Sequence, residues 1–221
     1  DAWSRISQLG WLNKGNDLNQ FSLGFPTFWR DYERIGHPVA TEHTMFSTVD
    51  KLWEVAHQRG LDNVDEKGKS WDSQFDAWQF KDEATLGARG EVNEIKFDFW
   101  SGHTDYSVVW QYSREANLYQ RLNGGVPHQD LNNDKQIEAK TVAVVFMKEK
   151  GPIDEWKHHL YYTLDQGQAV IFQDGEAIKA NWNKKERQSR IKFTDARGKE
   201  ISFNLGPVWI EILPALQKID Y

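Results

Sequence analysis

Ala169-Val170-Ile171-Phe172-Gln173-Asp174-Gly175-Glu176-Ala177-Ile178-Lys179-Ala180-Asn181-Trp182 is the stretch on which the reading of this chain turns. Two apolar runs flank an Asp-Gly pair. A type I′ turn needs positive φ at both central residues, a conformation that Asp tolerates and Gly adopts freely. The pair therefore predicts a tight hairpin. Downstream, Ile191 to Thr194 and Ile201 to Phe203 flank Asp195-Ala196-Arg197-Gly198-Lys199 and read as a second hairpin with a longer loop. Gly206-Pro207 turns the chain into Val208 to Leu213, a strand closed by Pro214 and expected to pair inside the same sheet. Upstream, Ala139 to Met147 is apolar on both faces and reads as a central strand. His158 to Leu164 is a further strand. Leu118 to Leu122, Tyr106-Val108-Trp110 and Val92 to Phe99 show the period of two that a pleated strand imposes.

Before residue 91 the pattern differs. Trp3 to Trp11 reads as a short amphipathic helix stopped by Gly10, and Asn13 to Phe28 as loop. Ser47 or Thr48 can cap a helix over Val49, Leu52, Trp53, Val55 and Ala56, whose apolar stripe has helical spacing and ends at Gly60. Asp62 to Ser73 has almost nothing to bury, and Ala84 to Gly90 is a second weak spot. The expected organisation is an N-terminal α/β segment over residues 1–62, a linker-like stretch over 63–90 and a β-rich domain over 91–221. The fold class is α+β, with a small helical part packed on a mainly antiparallel, hairpin-rich sheet.

Composition narrows the function. The chain has 221 residues with 11 Trp, 12 Phe and 7 Tyr, an aromatic load large enough to dominate a core or to line a groove. The net charge of −6 argues against a specific nucleic-acid binder. No run reaches the ~18 apolar residues of a membrane-spanning helix. Without Cys there are no disulfides, thiolate metal sites or cysteine nucleophiles. A start at Asp1, with no apolar signal run, implies a chain trimmed by processing or by design.

Several segments resemble the YerB-type family of bacterial lipoproteins, whose molecular function is not established. Gly167 to Gly175 resembles that family's terminal hairpin, followed by Asn181-Trp182-Asn183-Lys184-Lys185. Gly206-Pro207-Val208-Trp209-Ile210-Glu211-Ile212-Leu213-Pro214 resembles its closing strand. Phe28-Trp29-Arg30, Glu42-His43-Thr44, Ser47-Thr48, Tyr119-Gln120-Arg121 and Gly125 to Asp130 extend the likeness upstream in the same order. The resemblance implies that this is the distal portion of such a protein, with residues 1–62 the end of its first domain. It also implies an extracytoplasmic place in the bacterial cell envelope, through a lipid-anchored parent.

Three groups of residues carry candidate chemistry. Arg30, His43, Tyr119, Arg121, His128 and Asp130 would form an anion-binding or acid–base site if they converge, since Arg presents a planar fork and His exchanges a proton near neutral pH. The plainer reading is a polar network pinning loops to the sheet. Gly102-His103-Thr104-Asp105 with Asp98 could hold a metal, but its spacing fits no standard ligand set, so a solvated hairpin loop is preferred. His158 and His159 would point to opposite faces of a strand, one inward and one outward. Lys184, Lys185, Arg187 and Arg190, beside Trp182, could meet an anionic envelope polymer or lipid head groups; a charged sheet edge that discourages strand association explains them equally.

There is no G-x-S-x-G elbow, Walker loop, H-E-x-x-H or dinucleotide fingerprint. The expectation is a non-catalytic binding or scaffolding module with no cofactor or metal, partnered by an envelope component or a protein. The first alternative is an envelope enzyme acting on a glycan or phosphate-bearing substrate through the Arg/His group. The second is a subunit of an extracellular assembly.

Overall fold

The structure, a computed structural model, describes residues 4, 6–7, 17–61, 63–64, 67–70, 72–73, 75–187 and 189–221. Of the helix expected over Trp3 to Trp11, Ser4, Ile6 and Ser7 are described and are helical; the rest of it and parts of the stretch from Asp62 to Ser73 lie outside the described residues. The chain divides into two compact units, Asp1–Phe75 and Asp76–Tyr221.

In the first unit, α1 (Gln20–Leu23) falls within the stretch read as loop. It is a single turn held by Asn19, whose Oδ1 accepts from the Phe21 N–H at 3.0 Å and the Ser22 N–H at 3.1 Å. Strands β1 (Trp29–Arg30) and β2 (Met45–Phe46) pair antiparallel. Helix α2 (Val49–Gln58) starts at Thr48, whose Oγ1 accepts from the Lys51 N–H at 3.3 Å. It ends before Gly60, which takes the positive φ of 67° that a left-handed helix exit requires.

The second unit is mostly β and mostly antiparallel. Its strands begin with β3 (Phe80–Lys81), β4 (Glu94–Asp98), β5 (Ser107–Ser113), β6 (Leu118–Asn123), β7 (Val126–Pro127) and β8 (Glu138–Ala139). They continue with β9 (Thr141–Met147), β10 (Glu149–Lys150), β11 (Leu160–Tyr161), β12 (Gln166–Gln173) and β13 (Glu176–Asn183). The last are β14 (Lys192–Thr194), β15 (Phe203–Asn204) and β16 (Val208–Pro214). Of its two five-stranded sheets, one runs β4-β5-β6-β7, with β8 also on β6, and the other runs β14-β13-β12-β9-β16; β10 pairs with β11 and β15 with β3.

Strands β12 and β13 pair from Gln166↔Asn183 to Gln173↔Glu176, closed by Asp174 and Gly175 at φ 54° and 70°. Only a glycine fits at position 175: a Cβ there would sit 2.5 Å from the Gly90 carbonyl oxygen. Strand β9 lies between β12 and β16 and feeds both layers of apolar packing. Val142 and Val144 join Ile95, Trp110, Tyr119, Phe172 and Leu213 between the two sheets. Ala143, Val145 and Met147 join Ile171, Trp182, Phe193 and Phe203 on the opposite face.

Four details depart from the sequence reading. Strand β16 lies at the sheet edge and runs parallel to β9, since an apolar pattern sets which face is buried but not the partner or the direction. The second hairpin begins as expected, with the Ile201 N–H donating to the Phe193 oxygen at 2.9 Å; Phe203 and Asn204 then leave it to pair parallel with β3. His158 and His159 lie outside the short β11 and are both exposed; His158 Nδ1 is 2.7 Å from Asp154, and His159 Nδ1 3.4 Å from Glu149. Residues 76–90, read as linker-like, belong to the second unit. Trp78 packs edge-on against Phe203 at 5.1 Å and donates from Nε1 to the Ile191 oxygen at 2.8 Å.

Candidate functional site

Two polar clusters are built into the second unit. The first spans the space between the sheets. Alternation along β6 turns Tyr119 and Arg121 inward, and alternation along β16 turns Trp209, Glu211 and Leu213 toward the same layer. An arginine and a glutamate thus meet in the core. Arg121 Nε lies 3.1 Å from Glu211 Oε1, and both side chains are buried. Trp110 Nε1 donates to the same oxygen at 3.0 Å. Trp110 and Trp209 lie 5.9 and 5.3 Å from the guanidinium, a cation–π setting for its charge.

The free end of the guanidinium reaches outward. Arg121 Nη1 lies 3.3 Å from Asn123 Oδ1 and 2.7 Å from His128 Nδ1. A guanidinium has only N–H donors, so His128 Nδ1 must be the acceptor and the ring's proton must sit on Nε2. Burial pushes the His128 pKa below its ordinary value and the Arg121 charge pushes it further, outweighing the opposite pull of Glu211. The neutral imidazole therefore has its basic lone pair occupied and retains an N–H to offer. Trp209, half-buried, lies 6.4 Å from it, ring to ring.

The second cluster is centred on the turn residue Asp174. Its Oδ1 accepts from Asn117 Nδ2 at 2.8 Å, Asn204 Nδ2 at 2.7 Å and the Ala84 N–H at 3.2 Å. Lys81 Nζ lies 2.6 Å from its Oδ2. Burial pushes the Asp174 carboxyl up, but Lys81, the two amides and the Ala84 N–H together outweigh it and hold the pKa at about 2. Tyr112 donates to Asn117 Oδ1 at 2.7 Å, and Tyr119 accepts from the Gly175 N–H at 3.2 Å. This network fastens residues 81–84 to the hairpin turn.

Of the six ligand-binding candidates, Arg121 and His128 come together. Tyr119 shares Arg121's strand face, but its hydroxyl belongs to the Asp174 cluster, and burial drives its pKa upward, away from acid–base work near neutral pH. Asp130 Oδ1 accepts from the Asn132 N–H at 2.7 Å in its own turn. Arg30 and His43 belong to the first unit, where Arg30 Nη1 donates to the Thr41 oxygen and to Thr44 Oγ1. Among the four basic candidates, Lys184 donates to the backbone oxygens of Arg187 and Ser189. Arg190 lies 3.8 Å over the Trp78 ring and donates to the Asp76 oxygen. Lys185 and Arg187 are exposed. His103 stacks on Trp100 at 4.2 Å, and among the described residues no group of three or more His, Asp or Glu side chains is placed to hold a metal ion.

Glu211, Trp110 and Trp209 were not among the sequence candidates. Their signal was available: Glu211 sits at an inward position of an otherwise apolar strand and is the charge opposite to Arg121.

Two facing sheets joined by a buried charge pair make up a β-rich module. Its family is the DUF3048 C-terminal domain. The chain belongs to this family, described as "Protein of unknown function (DUF3048) C-terminal domain", whose model matches residues 95–210. It is 23% identical over 211 residues to "Putative lipoprotein YerB" of Bacillus subtilis (strain 168), across 90% of this chain and 55% of that protein. It thus spans about half the length of that relative. The crystal structure of the YerB protein from Bacillus subtilis superimposes with a TM-score of 0.73 at 20% identity, over 100% of this chain and 67% of the crystallised one. That likeness shows the fold.

Proposed function

We propose that this chain is a binding or scaffolding module of the bacterial cell envelope, held outside the membrane by a lipid-anchored parent. The relative's name as a lipoprotein supports the location. The Arg121–His128 contact carries the binding reading. A general base needs a free lone pair aimed at its substrate; here that lone pair receives an Arg121 N–H, so His128 offers a hydrogen-bond donor beside the half-buried Trp209. The alternative of an envelope enzyme that uses His128 as its base on a glycan or phosphate-bearing substrate would need that lone pair free.

Retention of the purified chain on isolated bacterial cell-wall sacculi and on membrane vesicles, measured by co-sedimentation, tests this. Saturable retention on either is expected. No retention on both, together with a tight complex to a purified cytosolic protein, overturns it.

A further inference from the structure

The turn between β4 and β5 holds aromatic rings in solvent in a fixed arrangement. Phe99, Trp100 and Tyr106 are 43%, 54% and 47% exposed. Trp100 stacks on His103 and lies 5.4 Å from Tyr106, ring to ring. Phe99 is set edge-on to the buried Phe97 at 5.3 Å. The backbone is pinned beneath them: the Phe99 N–H donates to the Tyr106 oxygen at 3.1 Å, and the His103 N–H to the Trp100 oxygen at 3.1 Å. Asn123 Nδ2 ties the Asp105 oxygen to β6 at 3.0 Å. Rings left in water but already ordered suit a ligand, because their conformational entropy is lost before binding.

Residues 215–221 run beside this turn. Lys96 and Asp220 exchange two backbone hydrogen bonds, of 2.8 and 3.0 Å, and Gln217 Nε2 donates to the Asp98 oxygen. Between turn and segment lies a cleft of about 440 Å³, lined by Lys96, Asp98, Phe99, Gln217, Lys218 and Asp220 among others. That volume falls within the roughly 300–1,000 Å³ typical of small-molecule clefts.

The charges select the ligand class. A phosphate or acidic polymer entering the cleft would meet Asp98 and Asp220; a cation would meet Lys218 and Lys96, the latter paired with Glu94 at 2.5 Å. A neutral molecule rich in hydroxyls can use both signs, because each hydroxyl donates to a carboxylate and accepts from an ammonium or amide. The flat C–H face of a pyranose ring is apolar and packs against an exposed aromatic ring. We propose that this cleft binds a neutral oligosaccharide. One sugar ring lies on Phe99 with its hydroxyls bonded to Asp98, Asp220 and Lys218, and the chain continues over Trp100 and Tyr106. The cleft is a second site on the binding module proposed above, lined by none of Arg121, His128 and Trp209, and the proposal rests on that reading.

The test titrates the whole chain with chitotetraose, cellotetraose and maltotetraose, read by calorimetry and by tryptophan fluorescence, with tripolyphosphate as the anionic comparison. At least one tetrasaccharide should bind saturably with a millimolar or tighter Kd. Phe99→Ala should weaken it by about tenfold and Trp100→Ala by less. The thermal midpoint should stay close to the parent's in both variants. Absence of any tetrasaccharide binding, undiminished binding by Phe99→Ala, or tighter binding of tripolyphosphate overturns the proposal. Retention on sacculi that Phe99→Ala leaves intact removes this cleft but keeps the module. A tetrasaccharide bound through Phe99, by a chain that neither sacculi nor vesicles retain, keeps the cleft and removes the envelope reading.

Discussion

The Asp174 and Arg121 clusters solve the same problem, a charge inside a β-structure, in different ways. Asp174 is surrounded: three N–H donors, from Ala84, Asn117 and Asn204, converge on one oxygen and the Lys81 ammonium meets the other. Arg121 depends on one carboxylate supplied by the other sheet and spends its remaining donors toward the surface, on Asn123 and His128. A charge distributed over many neutral donors tolerates the loss of one of them. A charge balanced by a single distant partner does not.

This contrast can be broken most sharply at the ion pair. Glu211→Leu or Arg121→Met leaves one uncompensated buried charge and should cost about 3–5 kcal/mol by chemical denaturation. The double variant should recover most of that loss, because both charges then leave the core together. A double variant as unstable as the two single losses added would show that the pair is not coupled.

A smaller effect is expected at the turn. The Asp174 pKa is depressed from 3.8 to about 2 in the folded protein. Its contribution, about 2 kcal/mol, is therefore complete above pH ~4 and is lost as pH falls toward 2. Asp174→Asn should lower stability at pH 7 by that order and flatten the stability profile across that acid window. An unchanged profile would assign the acid sensitivity to other carboxylates.

The smallest effect lies at His128. Its folded pKa is below the ordinary 6.5, so the folded state binds the proton less well than the unfolded chain. Stability is then complete above about pH 6.5 and declines as pH falls below it. Nitrogen NMR of the ring should find the neutral form protonated on Nε2 at pH 7, with titration below 6.5. A proton on Nδ1 at pH 7 would break the contact to Arg121 on which the binding reading rests.

Much of the second unit was legible because its signals are local. The period of two in β5 and β6, the unbroken apolar run of β9 and the Asp-Gly pair at 174–175 each state their own geometry. Residues 76–90 were not legible. Trp78 and Lys81 anchor that stretch singly, and isolated anchors leave no period to read. The parallel pairing of β16 was hidden for a related reason: alternation reports a face and says nothing of the neighbour. At the site, Arg121 and His128 were visible as residue types, and seven positions of spacing let one strand and its following turn bring them together. Glu211, 90 positions from Arg121, could be paired with it only after the two sheets were placed face to face.

That separation sets an order of events during synthesis. Arg121 emerges from the ribosome long before its counter-charge, so the inner face of β6 carries an unbalanced cation until β16 has been made. The first sheet cannot be sealed over the second without stranding that cation in an apolar layer. Docking of β16 beside β9 brings Glu211 and the cover of Trp209 and Leu213 in one step. The nascent chain thus has reason to stay open to chaperones until late in its emergence.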